Sequence, residues 1–483
     1  MLQRNYMQNL LRLALFYIST FFIYIFPSST HTEGVVGQPQ SFFPSQAESQ
    51  IDKTISSLVY RGLLKYDQNG LLVGDLAEEW QISDDGLAYT VKIKPNQYWS
   101  QGIEITSDDL IYTAFKLPEF SDVATDKIDK YTVRYILPNK FSPFLSLLTI
   151  GVMQANTEEK QNPLMPISNG DFQVISIKRD GPAVKQITLQ NKNKDASFKK
   201  LVLRYYSNEA ELITAARLGE IDSFSLSYSY DLEGFSHYEI PITSVYYSLL
   251  FNLENPKFES DNFRLKLAQV LPIDELLNDL GIPTQGPISY SEFTNTKLNF
   301  DKYAPNFVPE FLNEEVSIIV PDVKHQKDLA NQIAKIWEEK LGLRVVVLPM
   351  NPDGIRESIV PSKNFEILLY GQQIGRDPDR YVNWHSTQSE FPGLNITGFN
   401  QVRADRALEE GRKILEKEER RIHYDDFQAN IMEHMPAIFL YHPYLNYYVS
   451  NRTEVPLKAF DNKIFNPWDR FSNFSEWKRR FIN

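Results

Sequence analysis

Cysteine is absent from all 483 residues. That excludes a disulfide framework, Cys-ligated zinc or iron–sulfur centres, a thiol nucleophile, and the acylated cysteine of a conventional lipoprotein signal. Histidine is scarce, with seven residues and no HxxxH or HExxH spacing. His423, His434 and His442 lie too far apart to form a local ligand pair, so no metal site is expected. No block of like charges occurs, and the formal net charge of −12 repels nucleic acid and anionic lipid. There is no GxSxG, no P-loop and no Gly-rich dinucleotide turn. Carboxylates are plentiful, but no acid pair sits in a recognisable catalytic motif. The expectation is a chain that is not an enzyme and needs no cofactor. Internal repeats and sustained low-complexity tracts are also missing.

What is present is ordinary globular material, 42% hydrophobic and 23% charged, long enough for two to four domains. Aromatic residues reach 13%, a surplus that fits an aromatic-rich core together with a pocket for apolar side chains. The negative field favours cationic ligands, although acidity also serves solubility. Arg4 and Arg12 precede an apolar stretch from Leu13 to Phe26, followed by Pro27-Ser28-Ser29. This pattern reads as an export signal or an N-terminal anchor. No clean small-x-small cleavage site follows, which favours the uncleaved anchor. Either way the rest of the chain lies outside the cytoplasmic membrane.

Residues 27–50 carry Pro, Ser, Gln and Thr with little periodicity and read as a tether. Ile51 to Leu64 has helical spacing, with Gly62 in its last turn. Leu76 to Trp80 reads as a short helix, Ser83 to Gly86 as a turn, and Leu87 to Ile93 as a half-buried strand. Thr106-Ser107-Asp108-Asp109 has the form of a capping box opening a helix, and Tyr131 to Leu137 is another strand. Val316 to Val320, the amphipathic helix Lys327 to Leu341 and Arg344 to Leu348 form a βαβ unit, with Ile367 to Tyr370 a third strand; a parallel sheet follows. Helices are expected over Arg403 to Lys417 and Glu418 to His434, then a strand from Ala437 to Tyr441 after Pro436. The tail from Pro456 is aromatic and irregular.

Several strings, taken in order, carry a resemblance. They begin with Leu58-Val59-Tyr60-Arg61-Gly62-Leu63-Leu64, Gly74-Asp75-Leu76-Ala77-Glu78-Glu79-Trp80 and Ser83-Asp84-Asp85-Gly86. Tyr89 to Trp99 and Ile105 to Leu110 extend the block. Gly219-Glu220-Ile221-Asp222, the Phe251-Asn252 to Ala268 segment, Asp377-Pro378-Asp379, the Ala404 to Arg421 helix and Met435 to Tyr441 follow at matching gaps. The ordered set resembles the family 5 extracellular solute-binding proteins, which include oligopeptide-, dipeptide- and nickel-binding members, and covers most of the exported chain.

The resemblance implies an α/β, two-lobed periplasmic-binding-protein-like fold (class II, type C) with a small extra α+β domain inserted in the first lobe. On that pattern residues 1–32 are signal or anchor and tether, and 33–61, 166–247 and 440–483 build lobe I. Residues 62–165 form the inserted domain and 248–439 lobe II, with hinges near Tyr246 to Asn252 and Phe439 to His442. The implied function is capture of peptides or peptide-like ligands for an ABC permease and its ATPase subunits, by a monomer held at the membrane through its N-terminal segment. A ligand-sensing receptor component, or a member binding nickel or another small solute, is the alternative. Matched positions put Glu48, Ser49, Gln50, Asn252, Arg376, Asp377, Trp384, His385 and Tyr441 at the ligand. Plainer roles compete: Asp377 also suits a helix cap before Pro378, Trp384 a core residue, Glu48 an exposed loop and Asn252 a hinge brace. One departure stands out. Oligopeptide binders often carry an acid just before the Asp-Pro pair for the ligand's amino group, whereas Gln372 to Arg376 contains none. Arg376 suits a carboxylate instead.

Overall fold

The computed structural model describes residues 29–480, apart from 68, 158–159, 278, 285, 292, 294–313 and 457–462. Most of the expected signal or anchor segment, residues 1–28, lies outside the described residues. Among the described residues no helix is long and apolar enough to cross a membrane.

The long strand Ala437–Ser450 organises the molecule. Its first residues pair antiparallel with Val245–Phe251, Leu250 opposite Ala437 and Leu249 opposite Ile438. Its later residues pair with Phe235–Pro241 on one side and Ser223–Leu226 on the other. One strand therefore belongs to both halves of a two-lobed α/β fold. In one half, Glu315–Pro321 lies parallel to Arg344–Met350 and to Ile367–Gln373. The helix Lys324–Leu341 makes the crossover and packs Leu329, Ile333 and Trp337 onto the sheet. Gly342 ends it at φ 69°, a left-handed conformation that glycine adopts without a Cβ penalty. The expected βαβ unit is present. The opposite face of that sheet is covered by Val402–Gly411 and Lys417–His434. The helix expected from Arg403 to Lys417 stops at Gly411, where a Cβ would crowd the Tyr424 ring.

In the other half, Thr30–Val36 runs parallel to Lys200–Tyr206 and to Ser223–Leu226. Antiparallel strands Ala183–Asn191 and Phe172–Asp180 complete that sheet. Thr30–Val36 corrects the tether reading of residues 27–50. Its inward positions include His31 and Glu33, which look like solvent residues in sequence but are fully buried here. The polar side chains hid the apolar alternation that marks a strand. The tail, expected to be irregular, carries in its described part the short 3-10 helices Pro467–Phe471 and Phe474–Glu476 and a two-residue strand, Lys478–Arg479, paired with Thr453–Glu454; its Phe471, Phe474 and Trp477 close the same core.

The small α+β domain is a four-stranded antiparallel sheet, ordered Ala77–Ile82, Ala88–Ile93, Thr132–Ile136 and Ala124–Lys127. The helix Ser107–Lys116 opens on the expected Thr106–Asp109 capping box. Leu76 to Trp80, read as a helix, is strand from Ala77 onward, within Ala77–Ile82. Five residues cannot separate the two periods; the partner Ala88–Ile93 decides, leaving Glu78 and Glu79 outside where Lys92 pairs with them. The helix expected from Ile51 to Leu64 spans Gln50–Val59. Gly62 therefore lies past its end, where the Thr149 carbonyl comes too close for a Cβ.

Candidate functional site

A cavity of about 2090 Å³ opens between the N-terminal segment, the small domain, the C-terminal segment and the loop after Ile367–Gln373. Its wall includes Pro44 to Glu48, Tyr66, Asp67, Gly375 to Asp377, Phe465, Asn466, Trp468 and Asp469. Nine carboxylates against six Lys and Arg give the wall a negative balance, so its field favours cations.

The second-lobe loop is held unusually firmly. Arg420 donates to both oxygens of Asp377, at 2.8 and 3.0 Å. Arg412 donates to Asp379 at 2.8 Å. Fully buried Arg380 donates to the carbonyls of Pro287, Asp377 and Asp379. Burial pushes the Asp379 pKa up, with Arg412 pulling the other way. Burial also opposes the charge on Arg420, but Asp377 outweighs it and the pKa of Arg420 rises. A buried carboxylate survives only when paired, and here each has a guanidinium. Asp377 also accepts the Asp379 amide at 2.9 Å; no helix begins at Pro378, and the next one starts at Tyr381.

Arg376 projects from this platform into the cavity. Its guanidinium lies over the Tyr66 ring at 4.9 Å and the Phe465 ring at 4.6 Å, and it donates to Asp469 at 2.6 Å. Its neighbours come from the small domain and from the C-terminal segment. Tyr66, Phe465 and Asp469 carried no signal in the sequence as a group, because nothing local links position 66 to 465.

Of the nine residues singled out by resemblance, Glu48, Arg376 and Asp377 line this cavity together. Ser49 caps the helix Gln50–Val59: its Oγ accepts the Asp52 amide and donates to the Asp52 carboxylate. Asp52 in turn accepts from the Gln40 and Ser41 amides, which sets the course of the chain toward Pro44. Gln50 is the first residue of that helix. Asn252 is buried, donating to the Lys363 and Phe365 carbonyls and accepting the Glu254 amide. Trp384 is buried against Phe399 and Phe439, with its indole N–H 3.3 Å from the Tyr246 hydroxyl. His385 stacks on Tyr381 at 4.0 Å and lies 3.2 Å from Glu409. Tyr441 stacks on Tyr247 at 5.0 Å, and burial raises its pKa well above the usual phenol value. These last four side chains stand in packed interior, off the wall of the large cavity. Among the described residues no group of three or more His, Asp or Glu could hold a metal ion.

The sequence pattern of the bacterial extracellular solute-binding proteins, family 5 Middle, matches residues 72–392. The chain belongs to that family. Family 5 proteins are non-enzymatic, extracytoplasmic components of ABC transporters. The oligopeptide-binding protein AppA of Bacillus subtilis (strain 168) is 23% identical over 504 residues, covering 92% of this chain and 90% of AppA. Among solved structures, AppA from Bacillus subtilis in complex with a nonapeptide superposes with a TM-score of 0.70 at 18% identity, over 93% of this chain and 99% of that one. The substrate-binding protein CtaP from Listeria monocytogenes gives 0.77 at 20% identity, over 93% and 99%. NikZ from Campylobacter jejuni in complex with Ni(L-His) gives 0.72 at 20% identity, over 94% and 100%. At these identities the structures establish the fold of this family 5 protein, the two-lobed arrangement with its inserted domain.

Proposed function

We propose that this protein captures peptides or peptide-like ligands between its lobes and delivers them to an ABC permease driven by ATPase subunits. The observation that carries the reading is the large cavity to which the N-terminal segment, the small domain, the C-terminal segment and the second-lobe loop all contribute. Its size exceeds the roughly 300–1,000 Å³ of ordinary small-molecule pockets, which favours an extended ligand. A ligand that touches both lobes only when they are closed selects the closed state. Closure removes water from the ligand main chain, whose donors and acceptors then require protein partners. The AppA and nonapeptide complex supports the same choice of ligand class.

In this reading lobe I is 33–61, 166–247 and 440–483, the inserted domain 62–165 and lobe II 248–439, with the lobes turning about Tyr246 to Asn252 and Phe439 to His442. The strand Thr30–Val36 supports counting lobe I from Thr30. The protein acts as a monomer held at the membrane through its N-terminal segment, residues 1–32. The test is thermal unfolding against pooled peptides of two to ten residues, with sugars and divalent metals as controls, because a ligand specific for the folded state raises the midpoint. A rise with nickel or sugar and none with peptides would replace the ligand class and leave the fold.

A further inference from the structure

We propose that Tyr66, Phe465 and Asp469 form a subsite for a cationic side group of the ligand, and that Arg376 fills it when no ligand is bound. The inference rests on the peptide-capture reading for its ligand class, but its geometry stands apart from it. Two aromatic faces and one carboxylate surround a guanidinium, at 4.9, 4.6 and 2.6 Å. Those are the components of a cation site: two ring quadrupoles facing the charge, and a charge-assisted hydrogen bond to a carboxylate.

Each wall is held independently of Arg376. The Tyr66 hydroxyl is hydrogen-bonded to Ser146 at 2.7 Å. The Phe465 carbonyl accepts the Ser244 amide at 2.9 Å. Asp469 accepts the Asn466 amide at 3.0 Å within its own turn. The subsite is therefore preformed, and the arginine is a guest from the second lobe. The guest is also replaceable. Arg376 and Asp469 keep 27% and 25% of their side-chain surface exposed, so separating them does not strand a buried charge. The negative balance of the cavity wall favours the exchange of one cation for another. A ligand Arg or Lys entering the subsite releases Arg376, while a ligand without one leaves Arg376 in place.

Binding is measured by calorimetry with three matched peptide pools, bearing a cationic, a neutral or an acidic central residue, on the wild type, Arg376→Ala, Asp469→Asn and Phe465→Leu. Asn at 469 retains an acceptor for the Asn466 amide, and a circular-dichroism melt checks the fold of every variant. The expected wild-type preference for cationic over neutral peptides is about ten-fold. It should collapse toward unity in Asp469→Asn, shrink in Phe465→Leu, and rise severalfold in Arg376→Ala, which lacks the internal competitor. A ratio unaltered by Asp469→Asn overturns the proposal. So does a preference for acidic peptides that disappears in Arg376→Ala, since Arg376 would then hold a ligand carboxylate. If no pool binds, the peptide reading fails and the subsite is judged on Arg376→Ala with free arginine against citrulline. Arginine alone binding supports it, and equal or absent binding overturns it.

Discussion

Asp469 and Arg470 are neighbours in one short turn, Pro467–Phe471, yet their side chains enter opposite environments. Asp469 faces the cavity and pairs with Arg376 across two structural units. Arg470 points into the first-lobe core, where it is 2.5 Å from Glu33 with 7% and 2% of the two side chains exposed. Glu33 also accepts from the Tyr447 hydroxyl at 2.6 Å and the Ser223 hydroxyl at 3.0 Å, and Ser223 is 2.7 Å from His31. The same two functional groups thus make a permanent fastening in one place and an exchangeable contact in the other. Desolvation separates them: a buried charge that loses its partner has no water to turn to, and a partly exposed one does.

The sharpest way to break this contrast is Arg470→Ala. It strands Glu33 in the core and should cost about 3–5 kcal/mol in urea unfolding; a loss below 1 kcal/mol would mean the network is not a fastening. Acid should come next. Burial pushes His31 down to about 4 from its ordinary 6.5, although Asp222 and Glu33 pull it upward. The folded state holds His31 neutral, so the unfolded chain binds its proton first. That contribution to stability is complete above pH 6.5 and fades as pH falls toward about 4. It amounts to roughly 3 kcal/mol. His442, likewise lowered to about 4 by burial, adds to the same slope. Unfolding measured from pH 7 to 4.5 should show the decline, and His31→Gln should flatten it in part.

A smaller effect is expected at the edge of the second lobe. Asn252→Ala leaves the Lys363 and Phe365 carbonyls without their donor, a loss of about 1–3 kcal/mol. If it instead abolished ligand capture with stability unchanged, Asn252 would be a ligand contact. Smallest of all, Arg376→Ala should shift unfolding by less than about 1 kcal/mol, while its effect on ligand selectivity is large. A loss comparable to Arg470→Ala would erase the distinction between fastening and contact.

Residues with a strong local pattern were readable from the chain alone. The βαβ unit from Glu315 to Met350 shows an apolar run, a helical stripe and a glycine stop within 36 consecutive positions. The Thr106 capping box is equally local. Thr30–Val36 was not, because its strand character depends on Ser223, Tyr447 and Arg470 satisfying His31 and Glu33. At the cavity, Arg376 stood out through its position beside Asp377-Pro378-Asp379, but its aromatic and acidic neighbours did not. Trp384 suits a core position as readily as a pocket in sequence, and burial places it, like Tyr441, in packed interior.

Hydrophobic period, caps, turn chemistry and the ordered family strings are properties of short windows, and they settle the α/β class and the family. Which charge meets which is not such a property. Glu33 and Arg470 are 437 positions apart, and Arg376 and Asp469 are 93 apart. Whether either pair fastens the fold or yields to a ligand depends on how much water the surrounding chain removes, and that is decided only when distant segments pack together.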